Sequence, residues 1–226
     1  MQNIYKTPNA ALGVAETNKV LRNTYILLSI TLAFSAVTAF ISMALGLSHN
    51  VGLVLTITAI ALIWFVLPKT ANSANGILVV FVITGLVGAG LGPTLSYYLS
   101  SVNGGQIVLQ ALAGTALIFG GLSVYVLTTK KDFSFLRGFV VVGYLLMIAI
   151  CVFLIIAHYA GYDFSTFNLV FSAAIILLMS ASILYQTSAI IHGGETNYLF
   201  ATISLYVSII NLFTSLLHLL GAAGDD

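Results

Sequence analysis

Short polar segments precede, separate and follow the long apolar stretches of this chain. All seven Lys and Arg residues lie in the first of these segments and in alternate segments after it. There are seven such stretches, and each has roughly the 17 to 25 residues that a helix needs to cross about 30 Å of hydrocarbon. None contains Asp, Glu, Lys or Arg. We therefore predict an all-α integral membrane protein with seven transmembrane helices. The predicted spans are residues 24–47, 51–67, 77–99, 107–127, 139–160, 167–191 and 198–220.

The distribution of the cations predicts the orientation, because cytoplasmic segments carry the excess of Lys and Arg. The cations are Lys6, Lys19, Arg22, Lys69, Lys130, Lys131 and Arg137. Their positions predict a cytoplasmic N-terminal tail over 1–23, a membrane domain over 24–220 and a short external tail over 221–226. If the last helix were re-entrant instead of spanning, the C-terminus would return to the cytoplasm.

Composition excludes several classes of function. The chain is 60% hydrophobic and 6% charged, which is far from the composition of a soluble domain. Its net charge of +1 indicates no nucleic-acid partner. The sequence has neither the H-E-x-x-H pattern of zinc proteases nor the G-x-S-x-G pattern of serine hydrolases. We expect a protein that is not an enzyme, with no cofactor, no metal and no small-molecule substrate.

The last predicted span has polar residues at intervals of three or four positions, which places them on one face of a helix. They are Ser204, Ser208, Asn211, Ser215 and His218. An Asn that faced lipid would be costly, so this face is expected to point into the bundle. The last helix would then lie at the centre, with Gln186 of the sixth span as its hydrogen-bond partner. The predicted interior network consists of Gln186, Ser208 and Asn211.

The third predicted span contains small residues and one proline near its end. Gly88 and Gly92 form a GxxxG pair, and Pro93 follows directly. Small residues at this spacing favour close packing of a neighbouring helix. The alternative is a helix broken at Pro93 whose carbonyl groups face a cavity.

Two long segments, Gly114 to Ser134 and Leu205 to Phe213, resemble the Bax inhibitor-1 family of small membrane proteins, and the resemblance extends over nearly the whole chain. It implies six helices arranged around a central seventh. Family members that leak calcium carry two aspartates, and the corresponding positions here are Gln186 and Ser208. An amide and a hydroxyl carry no charge near neutral pH, so this activity is not expected to be retained. A calcium or cation leak channel remains the alternative function.

The segment Tyr185 to Tyr198 and the N-terminal tail resemble an enterobacterial member of the family. This resemblance implies a bacterial inner-membrane protein whose partners are the lipid bilayer and the complex of FtsH, a membrane-anchored AAA protease. It implies a regulator that modulates the degradation of other membrane proteins by FtsH. The tail over 1–23 is then the expected point of engagement.

Overall fold

The computed structural model describes residues 9–73, 75–162 and 165–223, and all regular structure in these ranges is helical. Six of the helices are long and apolar enough to cross a membrane. The all-helical membrane architecture predicted from the apolar stretches is therefore confirmed at this level. The helices are α1 (Asn9–Ala44), α2 (His49–Phe65), α3 (Leu67–Thr70), α4 (Gly76–Leu99), α5 (Gly104–Thr129), α6 (Leu136–Tyr159), α7 (Ser165–Ile191) and α8 (Tyr198–Ala223).

The second predicted span, 51–67, has the expected length of 17 residues in the structure but lies two residues earlier, and its last residue belongs to a separate turn. α2 has 17 residues and ends at Phe65, and the separate turn α3 begins at Leu67. Pro68 explains the break: it has no backbone N–H to donate, and its ring clashes with the carbonyl of the preceding turn. A helix of this length covers only about 26 Å. The seven-span arrangement is accordingly kept as a proposal.

The first helix begins much earlier than the predicted span. α1 starts at Asn9, so residues 9–23 of the predicted tail are helical, whereas residues 1–8 lie outside the described part of the chain. Val20 and Leu21 pack against a cluster of buried residues from α1, α7 and α8 that includes Leu28, Ile190 and Leu205. These apolar contacts stabilise the part of α1 that precedes the predicted span. At the other end, α8 extends to Ala223, and residues 224–226 lie outside the described part.

The last helix is the most buried element. Half of the most apolar stretch of α8 is buried within the protein, against a third or less in each other candidate span. It packs against α1, α4, α5 and α7, while α6 packs against α7 at the edge of the bundle. Of the five polar residues of the predicted face of α8, Ser208 and Ser215 are buried, whereas Ser204, Asn211 and His218 are half-buried.

One end of the bundle carries every described cation, and we call it the basic end. The loops of this end touch one another: the Asn197 side chain donates to the Ala71 carbonyl at 3.0 Å, and the Phe133 backbone N–H donates to the Ser188 hydroxyl at 2.9 Å. The loops after α3, α5 and α7 are therefore neighbours. Six cations belong to this end: Lys19, Arg22, Lys69, Lys130, Lys131 and Arg137.

Candidate functional site

A neutral polar network lies where α6, α7 and α8 meet, and its centre is Ser208. The fully buried Ser208 hydroxyl lies 3.2 Å from Gln186 Oε1, 3.1 Å from the Ser204 carbonyl and 3.2 Å from the Tyr144 hydroxyl. A hydroxyl has one proton, so Ser208 donates to either Gln186 or Ser204 and can accept from Tyr144. Three helices are thereby joined at one side chain.

Of the three residues predicted for this network, the structure brings two together. Gln186 and Ser208 are within hydrogen-bond distance, whereas Asn211 donates from Nδ2 to the Val207 carbonyl of its own helix at 2.8 Å. Sequence reasoning missed Tyr144, which supplies the link to α6. A tyrosine in the middle of an apolar span was the available signal, because a buried tyrosine hydroxyl normally has a hydrogen-bond partner.

A second network joins α8 to α1 and α4. Tyr206 is fully buried, and its hydroxyl donates to the Thr84 carbonyl at 3.2 Å and is hydrogen-bonded to Ser35. The Ser35 hydroxyl lies 2.5 Å from the same Thr84 carbonyl. The partners are 122 and 171 positions away from Tyr206 in sequence. The two networks together give α8 hydrogen bonds to four other helices.

The glycines of α4 form a close contact with α1, as the packing interpretation of the GxxxG pair predicts. A Cβ at Gly88 would collide with Thr38 and with the Ser35 backbone, and a Cβ at Gly92 would collide with Ser42. α4 is continuous from Gly76 to Leu99. The alternative of a helix broken at the proline is therefore wrong.

The proline of α4 explains one further hydrogen bond. Pro93 has no N–H to donate to the carbonyl four residues earlier, which belongs to Ala89. The buried Ser42 hydroxyl of α1 donates to that carbonyl at 2.7 Å. An interhelical bond thus replaces the missing helical one, as is required of backbone groups that lie within a membrane.

A serine–histidine contact lies at the end of the bundle opposite the basic end. His218 Nδ1 of α8 lies 2.9 Å from the Ser172 hydroxyl of α7. The sequence alone did not indicate which serine would lie beside His218. This contact adds a second polar link between α7 and α8, beyond the one at Ser208.

The connection between α5 and α6 is held in place at the basic end. The Ser188 hydroxyl of α7 accepts from the Phe133 backbone N–H, and the Asp132 carboxylate accepts from the Ser134 backbone N–H at 2.8 Å. The hydrogen bond from Ser134 holds the pKa of the exposed Asp132 carboxyl below its ordinary value, so Asp132 is ionised at neutral pH. Lys131 Nζ lies 5.9 Å from the centre of the Tyr125 ring.

The chemistry available in the networks is that of neutral donors and acceptors. Amide and hydroxyl side chains form hydrogen bonds between helices but do not ionise near neutral pH. Within the described ranges, no group of three or more His, Cys, Asp and Glu side chains is arranged to hold a metal ion. The fold and its polar contacts define a helical multi-pass membrane protein with an uncharged interior.

Comparison with known proteins gives the family. The model of the family described as "Inhibitor of apoptosis-promoting Bax1" matches residues 17–225, and the chain belongs to this family.

Relatives that match nearly the whole chain are found in several bacteria. The chain is 46% identical over 226 residues, with complete coverage of both proteins, to the Escherichia coli K12 protein named "Modulator of FtsH protease YccA". The same identity holds for "Inner membrane protein YccA" of E. coli O6:H1 strain CFT073. An "Uncharacterized membrane protein" of Vibrio cholerae is 48% identical over 211 residues, which cover 93% of this chain and 92% of the relative.

Proposed function

We propose that this chain is an inner-membrane modulator of the FtsH protease, that it associates with the protease complex, and that it acts without catalysing a reaction itself. The observation that carries the proposal is the 46% identity, over the full length of both chains, to a relative named as a modulator of that protease. Proteins this similar over their whole length share a fold, and the family names describe a regulatory membrane protein.

The proposed topology has the basic end in the cytoplasm and seven crossings, with α2 as the shortest. The clustering of all described cations at one end supports the orientation, because Lys and Arg are retained on the cytoplasmic side of bacterial membranes. The N-terminus of α1 would then project into the cytoplasm. Of the six other spans, four have backbone contacts with α8 and α6 reaches it through Tyr144, whereas α2 packs against α4.

The proposed mechanism depends on resistance to extraction. A protease that pulls on the N-terminus must draw apolar helices out of the bilayer, which costs on the order of tens of kcal/mol for a whole bundle. The hydrogen bonds of Ser208 and Tyr206 tie α8 to its neighbours, so the helices cannot leave independently. Slow extraction would occupy the protease and reduce the degradation of its other membrane substrates.

We propose a structural role for the interior network of Gln186, Ser208 and Tyr144. The network supplies cohesion between α6, α7 and α8. Two of its members, Gln186 and Ser208, occupy positions where relatives with channel activity are expected to carry carboxylates. Asn211, whose amide is bonded within α8, is proposed to stabilise that helix locally. No cofactor or metal is required for this role.

The test measures the turnover of a second, FtsH-dependent membrane substrate in cells that lack their own copy of this protein. Full-length chain is expected to lengthen the half-life of the substrate, and a variant without residues 1–18 is expected to lose this effect. The deletion keeps Val20 and Leu21, which pack on the bundle. The matched control removes residues 224–226 at the other terminus and should behave as the full chain does. An unchanged half-life with the full chain would overturn the proposal.

A further inference from the structure

The loop between α5 and α6 is a fixed surface feature. α5 ends at Thr129 and Lys130 adopts a left-handed conformation with φ of 52°, which turns the chain sharply. Ser188 then binds the Phe133 backbone N–H, and the Lys131 ammonium lies 3.4 Å from the Tyr125 hydroxyl. These contacts tie the loop to both α5 and α7, so its charges are presented in a defined arrangement.

The loop presents more positive charge than the protein itself neutralises. Lys130, Lys131 and Arg137 are exposed, and within the described ranges none of them has an ion-pair partner. The one acidic group of the loop, Asp132, accepts the Ser134 backbone N–H. The three cations and the single carboxylate leave a net charge of +2 on a short segment at the membrane boundary.

The helix surfaces next to the loop are open on the lipid side. Among the described residues, no Cα atom of α5 comes within 8 Å of one in α6, although both helices pack against α7. Gly121 of α5 is exposed, and a Cβ there would meet nothing within 4 Å. Gly121 lies one turn before Tyr125, whose ring lies against Lys131. Phe135, which directly precedes α6, and Phe139, in its first turn, are 74% and 58% exposed.

We propose that the α5–α6 loop and the adjoining open face of α5 form a binding site for one anionic phospholipid from the leaflet at the basic end. The phosphate group is held by Lys130, Lys131 and Arg137. An acyl chain runs along α5 past Tyr125 and Gly121. The glycine leaves room for the chain beside the helix.

An anionic lipid fits this surface better than an acidic protein segment does. The cations and the exposed aromatic rings of Phe135 and Phe139 lie together at the start of a span, which is the depth at which a phospholipid presents its phosphate next to its acyl chains. The open face below the cations is apolar and continues into the membrane-spanning part of α5. A water-soluble acidic segment would match the cations and leave this apolar face uncovered.

The test is native mass spectrometry of the purified full chain in mixed micelles that contain equal amounts of phosphatidylglycerol and phosphatidylethanolamine. One phosphatidylglycerol is expected to remain bound in preference to phosphatidylethanolamine. Replacement of Lys130, Lys131 and Arg137 by Gln is expected to lower this preference about fivefold for each cation removed. Asp132→Asn, which retains an oxygen for the Ser134 N–H, is expected to raise it.

Two matched controls separate the site from general effects. Lys69→Gln removes a cation from another loop of the basic end and should leave the preference unchanged. Gly121→Leu should reduce retention of the lipid, whereas Gly105→Leu, at another open position of α5, should not. Thermal unfolding of the loop variant checks that it is folded.

Three results would overturn the proposal. One is the absence of a preference for phosphatidylglycerol in the unmodified chain, which does not depend on any variant. Another is a loop variant that retains lipid as the Lys69→Gln control does. The third is a loop variant that loses its association with the protease while its lipid binding is unchanged, which would assign the surface to a protein partner.

Discussion

Removal of the Ser42 hydroxyl tests how the bundle accommodates the proline of α4. Ser42 is buried and donates to the Ala89 carbonyl, which has no helical donor because Pro93 lacks an N–H. Ser42→Ala leaves that carbonyl without either partner. The substitution keeps the Cβ and introduces no new bulk next to Gly92.

The expected cost follows from two magnitudes. Interhelical hydrogen bonds in membranes contribute about 0.6 kcal/mol on average and up to about 1.7 kcal/mol. A buried carbonyl that loses its partner costs about 1–3 kcal/mol. We expect Ser42→Ala to lower the free energy of unfolding by about 1.5 kcal/mol. In a Pro93→Ala background, the restored amide N–H at position 93 can bind the Ala89 carbonyl, and the cost of Ser42→Ala should fall to about 0.5 kcal/mol.

The measurement is reversible unfolding in mixed micelles by titration with a denaturing detergent, followed by circular dichroism, for the four members of this double-mutant cycle. Ser29→Ala is the control, because the exposed Ser29 hydroxyl binds the Tyr25 carbonyl of its own helix. If Ser42→Ala lowers the free energy of unfolding equally in both backgrounds, the reasoning is refuted. The stabilisation by the Ser42 hydroxyl would then not depend on the proline.

Three further measurements test the other contacts and the alternative function. Gly88→Ala should destabilise the protein by about 1–3 kcal/mol in the same unfolding assay because of overpacking, whereas Gly120→Ala, where a Cβ meets open space, should be neutral or slightly stabilising. Tyr144→Phe should cost about 0.6 to 1.7 kcal/mol, and a cost of zero would remove the hydroxyl from the network. Liposomes that contain a calcium dye should show no flux with the unmodified chain, whereas robust flux that changes with Gln186→Asp or Ser208→Asp would favour the leak-channel alternative.

The sequence predicted those features of the fold that depend on composition and helical periodicity. The absence of charge over long stretches predicted the helical membrane class. The polar spacing of the last span correctly placed Ser208 and Ser215 in the interior, whereas Ser204, Asn211 and His218 are only half-buried. The Gly88–Gly92 pair correctly indicated close packing. The length of the second span was predicted correctly, but its end was placed two residues too late, because Val66 and Leu67 are apolar although the helix ends before Pro68.

The partners within the interior could be predicted only in part. The hydrogen bond between Gln186 and Ser208 was predicted because the two residues were expected to lie on adjacent helices. Asn211 instead binds a carbonyl of its own helix, which any Asn in a helix can do. The contact of Tyr206 with Ser35 and Thr84 depends on which helices are neighbours, and that information is not contained in the periodicity of any one segment. The helical extension of α1 depends in the same way on tertiary contacts of Val20 and Leu21.

The most direct test of the account uses purified FtsH and this chain, reconstituted together with a second membrane substrate in liposomes. The measured quantity is the degradation rate of the second substrate at increasing ratios of this chain to the protease. We expect the rate to fall as the ratio rises, with the chain itself degraded slowly. A degradation rate that is the same at every ratio would contradict the account.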